Sequence, residues 1–482
     1  MIQSGPLLNK NKIERDFSSR DSLGIEGVAA SIQAEICTVV NTVTPRAFYW
    51  AFMVWIYYDF YIRSGIREKT YDNFIKHLRR QDFFFVAATL LSNNNADNLV
   101  GKRNVSRILD VEGPVQFNDN YYRVKIGGMQ YYGAGCVSRD LIKSTDEDGN
   151  AYELPRLNAV SKQIGEGFEK VIKNTRYYKE YRLSDKPVPR DILIEYGNVI
   201  NIELKGFDEV KAVLKHRLFD TDAQLRTCAK YVDYLYNNYA VHHLNDSICR
   251  KLLFDHTTEA EMVIDIPNDL KLIADEWEIV IGRMYFTTGL EMLWKTMLER
   301  INSPKTKTEW IEDILDFSSF SFNINDPLAD AVTSCIYDFK TREAMISKSR
   351  SGKQSETSVE DGLKLLFSVY NWLAHRPDFG DAERYLFFGN DSNSISLKTF
   401  MNTIDDYMGR PLLDFIIFIM DKWIIDQHYN TAFEKLFYNV DGFFYEIIDG
   451  KYLKRHSFYI DFQGNRMIQL MNVMKDLDML KQ

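Results

Sequence analysis

The sequence predicts a mainly α fold, a multi-helix bundle architecture with small winged-helix-like β-ribbon elements. Apolar residues recur at spacings of three and four over ten or more residues in six stretches, which is the period of an amphipathic helix. Only 11 prolines interrupt the 482 residues. Two other parts of the chain contain short β-prone pieces and turn signals such as Asp-Gly. The six helical stretches are residues 27–40, 70–91, 223–244, 275–301, 359–376 and 410–440.

The length of the chain predicts several structural units, because a single hydrophobic core stops growing near about 250 to 300 residues. Polar segments at residues 92–104, 302–309 and 347–358 interrupt the helical pattern and are interpreted as loops. The predicted order is an N-terminal helical domain, a winged-helix-like module, a central helical domain, a flexible loop, and a C-terminal helical domain ending in a winged-helix-like unit. The predicted bounds are 1–125, 126–220, 221–345, 346–360 and 361–482.

The most apolar segment of the chain is "TVTPRAFYWAFMVWIYYDF", residues 42–60. Twelve residues from Ala47 to Tyr58 carry no charge and lie between Arg46 and Asp59. A helix that crosses a bilayer needs about 20 apolar residues, so this segment is too short to span a membrane. A helix that is apolar on every side is typical of the interior of a large protein. We therefore expect a central buried helix.

The start of this helix carries three residues with expected structural roles. Pro45 suits the first helical turn, where its missing N–H costs no hydrogen bond. Thr44 or Thr42 is the predicted N-cap. The charge of Arg46 at the start of a buried helix requires a partner. The predicted partner of Arg46 is Asp21 or Glu26.

The net charge and the cysteine content of the chain disfavour several classes of protein. The formal net charge of -9 makes the surface as a whole unfavourable for nucleic acid, so such binding requires a local basic patch. The five cysteines form no CxxC pair and are odd in number, which disfavours a disulfide framework and a zinc ribbon. The N-terminus lacks the apolar stretch of a signal peptide. We expect a cytoplasmic protein without a cofactor or a membrane segment.

Both β-prone stretches precede an amphipathic helix, which is the order of elements in a winged-helix unit. The helix after the first ribbon combines basic residues with tyrosines, a combination able to contact phosphates and stack on bases. The alternative is a solvated helix face whose tyrosines pack on the core, since acidic residues dilute the charge. The candidate nucleic-acid-binding residues are Lys162, Lys170, Lys173, Arg176, Tyr177, Lys179 and Arg182.

The N-terminal stretch "RDSLGIEGVAASIQAEICTVVNTVTPRAFYWAFMVWIYYDF" resembles a group of mostly helical bacterial proteins associated with phage-defence gene clusters. The likeness lies in a D-x-LG motif followed by a helix, then T-x-T-x-RA-x-Y and an aromatic helix. The stretches "LPRLNAVSKQIGEGF" and "GNRMIQLMNVMKDLDML" are also similar to that group. Departures occur at Asn158, Ser161 and Met479. The matching N-terminal residues are Asp21, Leu23, Gly24, Thr42, Thr44, Arg46, Ala47 and Tyr49.

These motifs are structural in type, and the resemblance implies a genetic context rather than an activity. It implies a non-catalytic subunit of a multi-component antiphage system, a scaffold or sensor that couples recognition of foreign DNA to a partner. The implied partner is an ATPase or a nuclease of the same system, with DNA as a further ligand.

The alternative function is a metal-dependent nuclease of the PD-(D/E)xK type. Asp191 precedes Glu203-Leu204-Lys205 by twelve residues, and the strand-like "NVINI" lies between them. In such an enzyme an Asp and a Glu hold Mg²⁺ and a Lys positions water or stabilises charge. The E-x-K pattern is common in charged proteins, and the neighbouring sequence is helical. Catalysis by Asp191, Glu203 and Lys205 therefore remains the second hypothesis.

Overall fold

A computed structural model describes residues 21–92, 97–122, 131–318, 320–335, 338–350, 358–376, 378–389, 394–437, 440–460, 462 and 464–480. Helices dominate these residues, which confirms the mainly α fold. The α-helices are α1 (Glu26–Ile36), α2 (Phe48–Tyr58), α3 (Tyr71–Leu91), α4 (Lys102–Leu109), α5 (Gly133–Ser138), α6 (Ala159–Ile172), α7 (Arg190–Val199), α8 (Asp208–Lys215), α9 (Ala223–Tyr239), α10 (Asp246–Phe254), α11 (Lys271–Arg300), α12 (Lys307–Phe317), α13 (Leu328–Ser334), α14 (Phe339–Arg350), α15 (Val359–His375), α16 (Leu397–Tyr407), α17 (Leu412–Phe418), α18 (Gln427–Leu436) and α19 (Arg466–Asp476).

Shorter helical segments of other types join or extend these helices. The π-helical segments are Asp59–Arg63, Tyr177–Tyr181, His216–Asp220 and Ile419–Asp426, and the 3-10 segments are Asp119–Tyr121, Asn268–Leu270 and Gly380–Phe387.

Two antiparallel ribbons account for the strands. In the first, β1 (Lys143–Thr145) pairs with β2 (Ala151–Arg156), and helix α6 follows directly. In the second, β3 (Tyr445–Ile448) pairs with β4 (Lys451–Lys454) across a turn at Asp449 and Gly450, both with positive φ. These turn conformations suit Asp and Gly. The small β-ribbons are confirmed, whereas their assignment as winged-helix units stays a prediction.

All six long helical stretches are confirmed as helices, but several local predictions are wrong. The predicted loops overlap α4, α12 and α14. The first or last turns of these helices are polar and lack the regular apolar spacing that indicates a helix. The predicted disordered loop lies partly outside the described residues, at 351–357. Two strand-like pieces are not strands: "SFYIDF" has no regular structure over 457–460, and "NVINI" spans the end of α7 and the turn after it.

The chain forms two compact units, each built from separate parts of the sequence. The first unit contains residues 37–242 and 465–480, so the C-terminal helix α19 belongs with the N-terminal part of the chain. The second unit contains residues 21–36 and 243–464. Each unit has its own hydrophobic core, as expected for a chain of this length.

Helix α2 forms the centre of the first unit, as the sequence predicts. Every residue from Phe48 to Tyr58 is buried. Phe48 stacks on Phe85 of α3 with ring centroids 4.5 Å apart, and Trp55 stacks on Phe168 of α6 at 5.3 Å. Within the described parts of the chain, no helix combines the length and the apolarity that crossing a membrane requires.

The contact between α2 and α6 depends on Gly165. A Cβ atom added to Gly165 would lie 2.2 Å from Cγ of Tyr58, far inside van der Waals contact. We expect Gly165→Val to lower the free energy of unfolding by about 2 to 3 kcal/mol, because overpacking displaces the buried ring. Chemical denaturation checks this value. The control is Gly409→Val, because a Cβ at Gly409 meets no atom within 4 Å; an equal loss in both variants would contradict the role of close packing.

The core of the second unit is built around the 30-residue helix α11, which is buried on all sides from Ile273 to Leu298. Helix α15 packs closely along it. A Cβ on Gly289 of α11 would lie 2.9 Å from the Leu366 side chain, and one on Gly362 would lie 2.9 Å from the carbonyl oxygen of Gly289. Such glycines allow two helix backbones to approach each other.

Candidate interaction surfaces

Arg46 pairs with Asp476 of α19, not with the predicted Asp21 or Glu26. Its Nε and Nη2 atoms donate to the two carboxylate oxygens at 3.0 and 2.7 Å. Both side chains are buried, with exposed fractions of 7% and 4%. Burial raises the pKa of Asp476 to about 6, although the hydrogen bonds from Arg46 and Ala47 act in the opposite direction. Arg46 therefore lies in a buried ion pair, with a partner other than the predicted ones.

Asp476 also replaces the predicted threonine as the cap of α2. The Ala47 N–H donates to Asp476 Oδ2 at 2.9 Å. Thr44 instead accepts from the Asn41 N–H at 2.8 Å, in the turn before the helix. Pro45 precedes the first turn rather than occupying it. The negative carboxylate at a helix N-terminus is also favoured by the helix dipole.

Two of the predicted nucleic-acid-binding residues are buried, which corrects that part of the prediction. Arg182 forms an ion pair with the fully buried Asp59, and its guanidinium carbon lies 4.2 Å from the centre of the Tyr178 ring. His77 Nε2 lies 2.9 Å from the other oxygen of Asp59. Tyr177 is 1% exposed, with its hydroxyl 3.3 Å from Gln81 Oε1. Arg182 and Tyr177 are therefore part of the buried core of the first unit.

The other candidate basic residues divide into two groups. Lys170 pairs with Glu209, and Arg176 pairs with Glu195 and Asp191. Lys162, Lys173 and Lys179 are exposed. Acidic neighbours neutralise the first group, which agrees with the alternative of a solvated charged face. Nucleic-acid binding by the three exposed lysines stays a prediction.

The structure does not bring the candidate nuclease residues together around one site. Asp191 lies in the first turn of α7 and pairs with Arg176, whereas Glu203 follows the other end of this ten-residue helix and pairs with Lys205. A helix of that length is about 15 Å long. The cavity beside Glu203 and Lys205, about 440 Å³ in volume, is lined by residues 198–206 without Asp191. Among the residues that the structure describes, no group of three or more His, Cys, Asp or Glu side chains is arranged to hold a metal ion.

The outer face of α18, in the second unit, exposes a row of large apolar side chains. Tyr429, Phe433, Leu436 and Phe437 have exposed fractions of 43%, 46%, 45% and 74%. Tyr429 stacks on Phe433 with centroids 6.2 Å apart, and Phe433 meets Phe437 edge-on at 5.5 Å. Residues three and four apart share one helix face. We call these four residues the α18 aromatic surface.

The α18 aromatic surface is comparable in area to the largest apolar patch of a typical monomeric protein, about 300 to 600 Å². Side chains of this size have about 150 to 250 Å² of surface each, so the four exposed fractions amount to about 400 Å² of apolar area. Patches of this size are often functional. Sequence analysis missed the surface, because α18 belongs to a stretch that is apolar on several sides and reads as a core helix.

The inner face of α18 is fixed by polar contacts with the segment that precedes α1. Gln427 Nε2 donates to the carbonyl oxygen of Leu23 at 2.9 Å, and Lys435 Nζ donates to that of Asp21 at 2.8 Å. A Cβ on Gly24 would lie 2.8 Å from Thr431 Oγ1. The D-x-LG motif therefore supports the helix that carries the aromatic surface.

His428 also holds α18 against the segment that precedes α1, and its imidazole is neutral. Its Nδ1 lies 2.8 Å from the carbonyl oxygen of Ser22, and its Nε2 accepts from the Phe444 N–H at 3.1 Å. This pair of bonds requires a proton on Nδ1 and none on Nε2. Burial lowers the pKa of His428 from 6.5 to about 4. Protonation would break the bond from Phe444.

We expect the protein to lose stability as the pH falls from 6.5 towards 4, because His428 gains a proton in the unfolded chain but not in the folded one. The contribution of this one histidine is at most about 1.4 kcal/mol per pH unit. Urea denaturation at a series of pH values measures the slope. His428→Gln should reduce the slope, and the exposed His243→Gln should not. An unchanged slope in His428→Gln would contradict the neutral state of this imidazole.

The chain matches no protein-family model, no curated protein sequence and no solved structure.

Proposed function

We propose that this protein is a non-catalytic subunit of a multi-component bacterial antiphage system, in which it acts in the cytoplasm as a scaffold or sensor. It couples recognition of foreign DNA to a partner protein, an ATPase or a nuclease of the same system. The observation that carries the proposal is the α18 aromatic surface, which provides a docking site for a protein. The system itself is inferred from the resemblance in the motifs around Asp21, Arg46 and the C-terminal helix.

The dimensions of the α18 aromatic surface support a protein as the ligand. A typical interface buries about 800 Å² on each partner, of which somewhat more than half is apolar. The approximately 400 Å² of this surface supplies most of that apolar share. Aromatic side chains at helical spacing also suit the insertion of a helix face into a partner's groove.

Charged side chains in α18 and in the segment after it are held by contacts within the second unit. Arg455 pairs with Asp441, with Nη2 and Oδ2 2.8 Å apart, beside the start of β3. Lys435 is directed inward to the carbonyl oxygen of Asp21 and so adds no charge to the outer face.

Phage plating tests the proposed function in cells. The gene for this protein is expressed with its neighbouring genes in a phage-sensitive strain, and plaques are counted. Phe433→Asp with Phe437→Asp should restore plaque formation to the level of the empty vector. The matched control is Phe387→Asp, because Phe387 has the same exposed fraction as Phe433, 46%, in a different segment. Full protection by the double variant would contradict the proposal.

A further inference from the structure

Two glutamates of the second unit meet between helices α1 and α11. Glu26 is the first residue of α1 and is partly buried, and Glu291 of α11 is 3% exposed. Their side chains form a hydrogen bond with each other. Two ionised carboxylates have no hydrogen to donate, so this bond requires one proton on the pair. We call Glu26 and Glu291 the α1–α11 carboxyl pair.

The contacts of the two carboxyl groups place the proton on Glu291. Burial raises the pKa of Glu26, and the hydrogen bond from Glu291 lowers it. A bond that lowers the pKa of an acid is one that its carboxylate accepts, so Glu26 is the acceptor and Glu291 is the donor. The Asp21 N–H also donates to Glu26 Oε1, at 3.1 Å. The more buried of the two carboxyls is therefore the neutral one.

Charged groups of three elements surround the α1–α11 carboxyl pair. In the segment before α1, the Asp21 carboxylate accepts from the Glu26 N–H at 3.0 Å. Lys435 of α18 donates to the carbonyl oxygen of Asp21 at 2.8 Å and interacts electrostatically with Glu26. Burial lowers the pKa of Arg283 of α11, and the charge of Asp21 opposes this. His428 of α18 is the remaining titratable group and is neutral, as described above.

The charges of this cluster cancel while the pair keeps its proton. Asp21 and Glu26 each carry one negative charge. Lys435 and Arg283 each carry one positive charge. Loss of the proton from Glu291 adds a buried negative charge that these two cations do not balance, next to an existing carboxylate. Both burial and the repulsion between like charges oppose this second ionisation.

We propose that the α1–α11 carboxyl pair is a pH-sensitive latch, which holds α1 against α11 while one proton is shared and loosens this contact when the proton is lost. The folded chain keeps this proton at pH values at which the carboxyls of the unfolded chain have lost theirs. The stability that the pair contributes is therefore lost as the pH rises through its titration in the folded state. This direction is opposite to that of His428. The latch requires no partner protein and is independent of the proposed function.

Urea denaturation of the wild type and Glu291→Gln between about pH 5 and pH 9 tests the latch. The introduced amide can donate the same hydrogen bond to Glu26 but has no proton to lose in this range. Relative to the variant, the unfolding equilibrium constant of the wild type should rise with pH, by up to about tenfold per pH unit. At the upper end the variant should be the more stable protein. A ratio that is independent of pH, or a variant that is less stable at every pH, would overturn the proposal.

Glu35→Gln is the matched control, because Glu35 is an exposed residue of the same helix α1. The wild type should show no such rise relative to this variant. A rise of the same size relative to both variants would refute the assignment to the α1–α11 carboxyl pair.

Infrared spectroscopy detects the shared proton in the intact wild-type protein. A protonated carboxyl has a C=O stretching band that a carboxylate lacks. The difference spectrum between the wild type and Glu291→Gln should contain this band at the lower pH values and lose it over the pH range in which the relative stability falls. Absence of the band at every pH, with both proteins folded, would mean that both carboxyls are ionised and would rule out the latch.

Discussion

Asp476→Asn is expected to lower the free energy of unfolding by about 3 to 5 kcal/mol. The substitution keeps the shape of the side chain but removes the charge that faces Arg46, which stays buried and positive. Breaking a buried pair by removing one partner costs this much, because the remaining charge has lost its solvation without compensation. The cap of α2 is weakened as well, since the Ala47 N–H loses an anionic acceptor. Urea denaturation followed by tryptophan fluorescence measures the change.

Asp478→Asn is the matched control for this variant. Asp478 pairs with Lys211 at 2.7 Å, but its side chain is 70% exposed. An exposed pair contributes less than about 1 kcal/mol, and asparagine tolerates the positive φ of this position. Equal losses in the two variants would contradict a special role for the buried pair. An unchanged stability of Asp476→Asn would contradict the structural account of Arg46.

Phe433→Asp with Phe437→Asp is expected to weaken binding of the partner protein at least 100-fold. Aromatic residues near the centre of an interface each contribute about 2 kcal/mol or more to binding. Two introduced carboxylates also have to be desolvated in the complex, which adds a further penalty. Both side chains are about half or more exposed in the free protein, so stability should change little. Biolayer interferometry with the purified partner gives the affinity, and thermal melting gives the stability.

The helices could be predicted from the sequence because their apolar spacing is a local property. Helix α2 is one example, since twelve uncharged residues between two charges leave few alternatives to a buried helix. The partner of Arg46 could not be predicted in the same way. Asp476 is 430 positions away, and a single sequence contains no signal that joins residues at such a distance. The stretches around Arg46 and around Asp476 are in contact in the first unit.

The candidate sites could likewise be predicted from the sequence only in part. Sequence showed that Arg176 and Lys170 are basic, but only the structure shows the carboxylates that neutralise them. Sequence also showed the apolar residues of α18 without showing which of them face solvent, because both faces of the helix carry apolar side chains.

We propose that the α18 aromatic surface binds a protein partner. Co-expression with the products of the neighbouring genes, followed by affinity purification and size-exclusion chromatography, tests it directly. We expect a stable complex for the wild type and for Phe387→Asp, and free subunits for Phe433→Asp with Phe437→Asp. Elution of the double variant in the same complex as the wild type would contradict the claim.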